Sequence, residues 1–225
     1  RLYLHRLRPH WTTMKRILRI GLPAGFEGLI HWIANFGVLF AVNGLGSVSA
    51  AAHVNTIRIE SLSYMTGFAF ATAAATMVGQ SLGRNDPKRA ARSALLGMAL
   101  GGACMGVLGV VFILSGETLA RWMSSDPTTV RLTAQCLQIT GFIQVPFAAA
   151  LAFGGALRGA GDTLAVMVAT LLSVVFVRFA GVMIVAKFWG LGLTAIWVVL
   201  SAELTVRGLL MTIRFVGGRW QTAKI

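Results

Sequence analysis

Six long apolar runs, separated by short segments that hold most of the charge, constrain this chain more than any other feature. They fall near residues 17–42, 50–79, 93–115, 128–155, 164–186 and 191–213. A membrane-spanning helix needs roughly 20 predominantly apolar residues, and each run supplies them. Inside lipid the backbone has no water to bond, so runs of this kind must be helices. Composition agrees: 56% of residues are hydrophobic and 12% charged, with a mean hydropathy of +0.75. Soluble domains carry about 25% charged residues. The expected fold is therefore an all-α integral membrane bundle of six transmembrane helices over residues 17–215. Short loops, a cytoplasmic segment at 1–16 and a cytoplasmic tail at 216–225 complete the expected organisation.

The net charge of +13 is placed as topology signals rather than as a nucleic-acid footprint. Basic residues sit at the ends of the apolar runs, with no basic stripe interleaved with aromatics, so no nucleic-acid partner is expected. Taking alternate connections together, one side holds fourteen Lys and Arg and the other holds three. The richer side includes Arg16, Arg19, Arg84, Lys88, Arg158, Arg214 and Arg219; the poorer one has Arg121, Arg131 and Lys187. By the positive-inside rule both termini lie in the cytoplasm, as an even number of spans requires. The expected location is the cell (inner) membrane. Residues 1–14 contain no apolar stretch of the kind a cleaved leader has. The chain begins with Arg1 rather than Met, as a fragment or a processed product would.

Local signals refine the picture. Asp86-Pro87, Asp126-Pro127 and Asp162-Thr163 read as helix caps rather than catalytic acids. Trp11, Trp122, Trp189 and Trp220 are expected at the membrane interfaces, and Trp32 and Trp197 against packing partners. Gly97–Gly101, Gly102–Gly106 and Gly155–Gly159 have the four-residue spacing that lets helix backbones approach. Cys104 and Cys136 read as small buried hydrophobes.

Few ionisable residues remain at membrane depth: Glu27, Arg58, Glu60, Arg178, Glu203 and Arg207. Each needs a partner or a wet cavity, because a charge at the helix centre costs at least ~2.5 kcal/mol. Glu203 and Arg207 stand four apart in the favourable order and read as an intrahelical pair. Arg58 and Glu60 project to different faces, which leaves Glu60 to meet Arg178 from another helix. Glu27 lies about 15 Å into the first span at 1.5 Å per residue, with no basic residue within a turn. Pro23, flanked by Gly21 and Gly25, weakens the helix just before it and is expected to kink it. A lone buried carboxylate beside a weakened helix is a candidate cation or proton site. His31 and Asn35 continue the same face and extend it into one polar stripe, a candidate cavity lining. His53 stands alone and receives no role.

Enzyme strings fail. Gly159-Ala160-Gly161-Asp162 matches the GxGD of intramembrane aspartyl proteases, but the other Asp residues, Asp86 and Asp126, lie in loops. There is no GxxxxGK[ST] and no HExxH. No enzyme activity, catalytic residue, metal or cofactor is expected, and any transport would draw on an ion gradient.

Four stretches carry a resemblance. They are Arg19-Ile20-Gly21-Leu22-Pro23 through Glu27; Ala50-Ala51-Ala52-His53 with Arg58-Ile59-Glu60-Ser61-Leu62-Ser63-Tyr64-Met65; Val78-Gly79-Gln80-Ser81-Leu82-Gly83 with Asp86-Pro87; and Gly155-Ala156-Leu157-Arg158-Gly159-Ala160-Gly161-Asp162-Thr163. In this order they resemble the carboxy-terminal half of the multidrug and toxic compound extrusion (MATE) transporters. The resemblance implies one six-helix lobe of a twelve-helix, two-lobe transporter, with residues 1–16 as the inter-lobe linker. It implies a secondary antiporter that exports small organic, often cationic, compounds in exchange for H⁺ or Na⁺ by alternating access. The implied partners are those substrates, membrane lipid and an amino-terminal six-helix lobe of the same full-length chain. The family's acid on this helix falls on Glu27. A second acid present in some members falls on Phe147, which shifts the expectation from Na⁺ toward H⁺. Alternatives are a lipid- or polysaccharide-type flippase of related fold and a homodimeric six-helix scaffold that transports nothing.

Overall fold

A computed structural model describes residues 11–185 and 190–222, and they are almost wholly helical. The elements are α1 (Trp11–Asn43), α2 (Ser47–Gly83), α3 (Pro87–Met123), α4 (Pro127–Phe142), α5 (Gln144–Gly159), α6 (Thr163–Leu172), a π-helical segment (Ser173–Phe179), α7 (Ala180–Met183) and α8 (Leu193–Val216). A 3₁₀ turn (Arg219–Thr222) follows. By length and composition four helical stretches can cross a membrane, and five if the pair α4 and α5 forms one bent span. The remaining long helix, α2, carries His53, Asn55, Arg58 and Glu60 in its first half, which lowers its apolarity. The described residues thus form long successive helical stretches, two of them interrupted.

The interruptions have local causes. Pro146 offers no N–H to the carbonyl four residues back, and α4 and α5 meet at 57° around Ile143. The Gln144 side chain satisfies a carbonyl at the break by donating to Thr140 O at 3.1 Å. The second interruption is the π-wound stretch between α6 and α7. By contrast, α1 runs unbroken through Pro23. It also begins at Trp11, inside the expected linker; residues 1–10, with Arg1, Arg6 and Arg8, lie outside the described residues, as do Lys187 and Trp189.

Close backbone approach builds one half of the bundle. A Cβ on Gly155 or Gly159 of α5 would run into the carbonyls of Ala71 and Ala75 on α2. One on Gly208 of α8 would strike the Pro146 carbonyl, and Gly109 and Gly141 join α3 to α4 in the same way. Gly97 and Gly101 lie against Ala74 and Phe70 of α2. Small residues at these positions are the membrane counterpart of ridges in grooves. Apolar clusters close both ends of the bundle. One gathers Val78, Ala90, Phe153, Leu157, Val166, Met211 and Phe215; the other gathers Val42, Ala52, Cys136, Leu193, Ile196 and Trp197.

Several local expectations need correction. Asp86 and Asp126 do cap their helices, accepting from Arg89 N at 2.9 Å and Thr129 N at 2.8 Å. Asp162 makes no cap bond; its carboxylate turns to Arg214 Nε on α8 at 2.7 Å. Trp220 packs against protein rather than facing outward. It is 1% exposed, stacks on Phe215 and donates to the Phe215 carbonyl at 2.8 Å, because the 3₁₀ turn folds back under the bundle. Trp32 faces outward from α1 and joins no apolar cluster among the described residues, whereas Trp197 lies against His53. Cys104 is exposed and Cys136 buried.

Candidate functional site

The polar stripe of α1 is met, residue by residue, by arginines from other helices. Arg158, at the end of α5, places Nη1 at 2.9 and 3.0 Å from the two oxygens of Glu27. Thr170 of α6 donates to the same carboxylate at 3.1 Å. His31 Nε2 lies 2.7 Å from Arg207 Nη1. A guanidinium only donates, so this ring nitrogen accepts, and His31 is the neutral tautomer with its proton on Nδ1. Asn35 Oδ1 accepts from Arg178 Nη1 at 2.8 Å. Three contacts thus form a column about 12 Å long at 1.5 Å per residue.

Glu203 of α8 ties the column together from behind. It is fully buried and accepts from Arg178 Nη2 at 2.6 Å and from Ser173 Oγ at 2.9 Å. Arg207 Nε lies 3.3 Å from it, close enough for ion pairing but without hydrogen-bond geometry. Ser173 and Arg178 are five residues apart, which on a regular α-helix sets them about 140° from one another. The π segment that contains both bonds i to i+5, and this winding turns the two side chains onto the same carboxylate. Such segments recur at functional sites. Sequence periodicity carries no signal for them, so nothing in the pattern of residues points to Ser173 or Thr170.

The turn that presents Arg158 explains the GAGD string. Gly159 permits contact with Ala75, and Gly161 adopts φ 83°, a left-handed conformation that glycine accepts readily. That conformation lets Asp162 N bond Leu157 O at 2.9 Å and reverses the chain directly after Arg158.

The expected pairings are only partly those found. Glu203 and Arg207 do sit together, yet Arg178 joins them. Glu27 is not alone, since Arg158 reaches it from 131 residues away. Glu60 does not pair with Arg178; its carboxylate accepts from the Thr140 hydroxyl at 2.6 Å. Arg58 points outward from α2 and is exposed. Across the column three guanidiniums face two carboxylates.

Comparison with known proteins follows the same lines. A family model described as MatE matches residues 23–184. The chain is 31% identical over 216 residues to the "Probable multidrug resistance protein NorM" of Thermotoga maritima, covering 95% of this chain and 46% of that protein. It is 29% identical over 213 residues to the protein of that name in Brucella suis, covering 92% and 45%. Among solved structures it superposes on "Crystal structure of MATE in the bent conformation" with TM-score 0.85 and 17% identity, over 97% of this chain and 49% of that one. An outward-facing MATE family transporter of the MOP superfamily gives TM-score 0.81 at 19% identity, over 88% and 44%. At these identities the structures share the fold. The chain spans about half the length of the proteins it matches.

Proposed function

The chain belongs to the MATE transporter family, and on that premise we propose that it is the carboxy-terminal lobe of a proton-coupled antiporter that exports small organic compounds. It is a multi-pass membrane protein, and transport rather than catalysis is its task. The complete transporter would add an amino-terminal lobe and work by alternating access across the cavity between them. Both termini of this segment would lie in the cytoplasm of a cell whose inner membrane holds the protein, following the bias of its Lys and Arg.

The observation that carries the reading is the pairing of Glu27 with Arg158 within a polar column at membrane depth. A proton taken up by Glu27 removes the charge that holds Arg158 and Thr170. Na⁺ needs several oxygen ligands at once, and both Glu27 oxygens are already engaged by a cation. A proton needs only one carboxylate oxygen, at the cost of the charge that holds Arg158. The exchange therefore favours H⁺ over Na⁺ as the coupling ion. Phe147 at the place of the second acid is in keeping with that preference.

The test is efflux of fluorescent organic substrates from cells carrying the full-length protein, under separate H⁺ and Na⁺ gradients. Efflux driven by H⁺ and lost in Glu27→Gln, with normal membrane insertion, is the expected result. Efflux driven by Na⁺ alone, or unchanged in Glu27→Gln, would sink the reading.

A second reading is favoured by one observation. Arg158, Arg178 and Arg207 line the column, and Arg58 is exposed along α2. Cargo with an anionic group, as a lipid- or polysaccharide-type flippase would carry, suits such a surface. Comparing cationic with anionic substrates in the same assay separates the two.

A further inference from the structure

Glu60 is the buried acid to which the reading above assigns no task. It is 7% exposed and accepts a single hydrogen bond, from Thr140 Oγ1. One turn later on α2, Ser63 donates to Gln144 Oε1 at 2.5 Å. Thr140 and Gln144 flank Ile143, where α4 and α5 meet at 57°. Thus α2 grips both sides of the bend, with Glu60 on one side and Ser63 on the other.

Charge and burial pull in opposite senses on Glu60. Arg178 is not bonded to it; that guanidinium is held by Glu203 and Asn35. Around Glu203, two guanidiniums, Arg178 and Arg207, meet one carboxylate. This surplus of positive charge favours Glu60 as an anion. Burial with one hydroxyl for a partner favours the neutral acid. Other charges nearby are engaged or face outward: Arg158 of α5 holds Glu27, Arg131 of α4 and Arg58 of α2 are exposed, and Glu117 and Arg121 of α3 pair on the surface. His31 of α1 is bonded to Arg207, and His53, two turns earlier on α2, lies against Trp197. A buried acid between opposed influences is where proton occupancy responds to small rearrangements.

We infer that Glu60 is a second proton-carrying residue of the transport cycle, and that its protonation loosens the grip of α2 on the α4–α5 bend. The inference rests on the proton-coupled reading above. Thr140 bonds an ionised carboxylate more strongly than a neutral one, so gaining a proton weakens the contact on the α4 side. The Ser63–Gln144 bond on the α5 side is unaffected by it. From the bend, α5 runs about 21 Å at 1.5 Å per residue to Arg158. A change in bend angle therefore reaches the Arg158–Glu27 pair through a rigid helix.

The experiment uses the full-length transporter in liposomes with two readouts. In infrared difference spectra between alkaline and acid buffer, a protonated-carboxyl band is expected that Glu60→Gln removes and Glu27→Gln leaves. Thr140→Val, which keeps the carboxyl, moves that band to higher wavenumber because its hydrogen bond is gone. In transport, Glu60→Gln retains substrate binding and downhill movement but loses uphill movement driven by H⁺. A spectrum unchanged by both Glu60→Gln and Thr140→Val overturns the inference, as does full uphill transport in Glu60→Gln. If Glu60→Gln fails to insert, Thr140→Val decides by itself. A wild type driven by H⁺ but lacking the Glu60 band defeats this inference alone. A wild type driven only by Na⁺ defeats the proton-coupled reading and the role of Glu60 with it.

Discussion

The two sides of this lobe are held together by different physics. Where α2, α3 and α5 meet, glycine and alanine bring backbones into contact, and the joint is steric. Where α1 meets α6, the π segment and α8, the joint is a column of charge-assisted hydrogen bonds. In lipid, apolar surface gives helices no drive to associate, so close packing and polar bonding are the available means. A joint made of backbone contacts has no group of its own to titrate. An ionic joint has members that can take up a proton, and the candidate coupling residue sits in that joint.

The sharpest way to break the comparison is to unbalance the ionic side. Glu203→Ala leaves Arg178 and Arg207 without their shared carboxylate in a buried setting. Removing one member of a buried pair typically costs about 3–5 kcal/mol. Thermal unfolding in detergent should show a larger loss for Glu203→Ala than for any single glycine substitution in the bundle. Glu203→Gln keeps two hydrogen-bonding atoms but not the charge, and it is expected to fall between Glu203→Ala and wild type. If Glu203→Ala is as stable as wild type, the α1 side is not held by its charges.

Next in size is a steric insult to the other side. Gly159→Ala sets a methyl against the Ala75 carbonyl, a backbone group that cannot swing aside. Overpacking of this kind costs about 1–3 kcal/mol. The same substitution also displaces the turn that presents Arg158, so H⁺-driven efflux should fall with stability. A Gly159→Ala protein of wild-type stability would show that α2 and α5 are not in backbone contact.

How much of this is legible in the sequence follows the same division. The helical passes, the i,i+4 stripe of Glu27, His31 and Asn35, and the small-residue spacing of Gly155 and Gly159 are local patterns, and local patterns are readable. The partners are not. Arg158 stands at the end of an apolar run and reads as a topology charge; its reach to Glu27 depends on how α5 packs against α1 and α6. In sequence, Glu27 therefore looks alone and Glu60 looks paired with Arg178, whereas Arg158 holds the first and a hydroxyl holds the second. The positions of Ser173 and Arg178 depend on π winding, which leaves no mark in hydrophobic periodicity. Asp162 has the sequence of a cap and is taken by Arg214 instead, an ionic partner supplied by tertiary contact.

The smallest expected effect is the most discriminating, because it uses the same chemical change with the opposite sign. Gly21, Gly25 and Gly28 lie on α1, and a Cβ at any of them meets nothing within 4 Å. Glycine inside a helix is less favourable than alanine by about 0.5–1 kcal/mol, since it loses more backbone freedom on folding. Gly25→Ala should therefore raise stability slightly, by about 2–4 °C at most for a domain of this size. Gly159→Ala should lower it. If Gly25→Ala is destabilising in the full-length protein, another surface packs closely on that face of α1, and the proposed amino-terminal lobe would be its source. The sign of one methyl thus distinguishes an α1 free to shift in the transport cycle from an α1 wedged as tightly as α5.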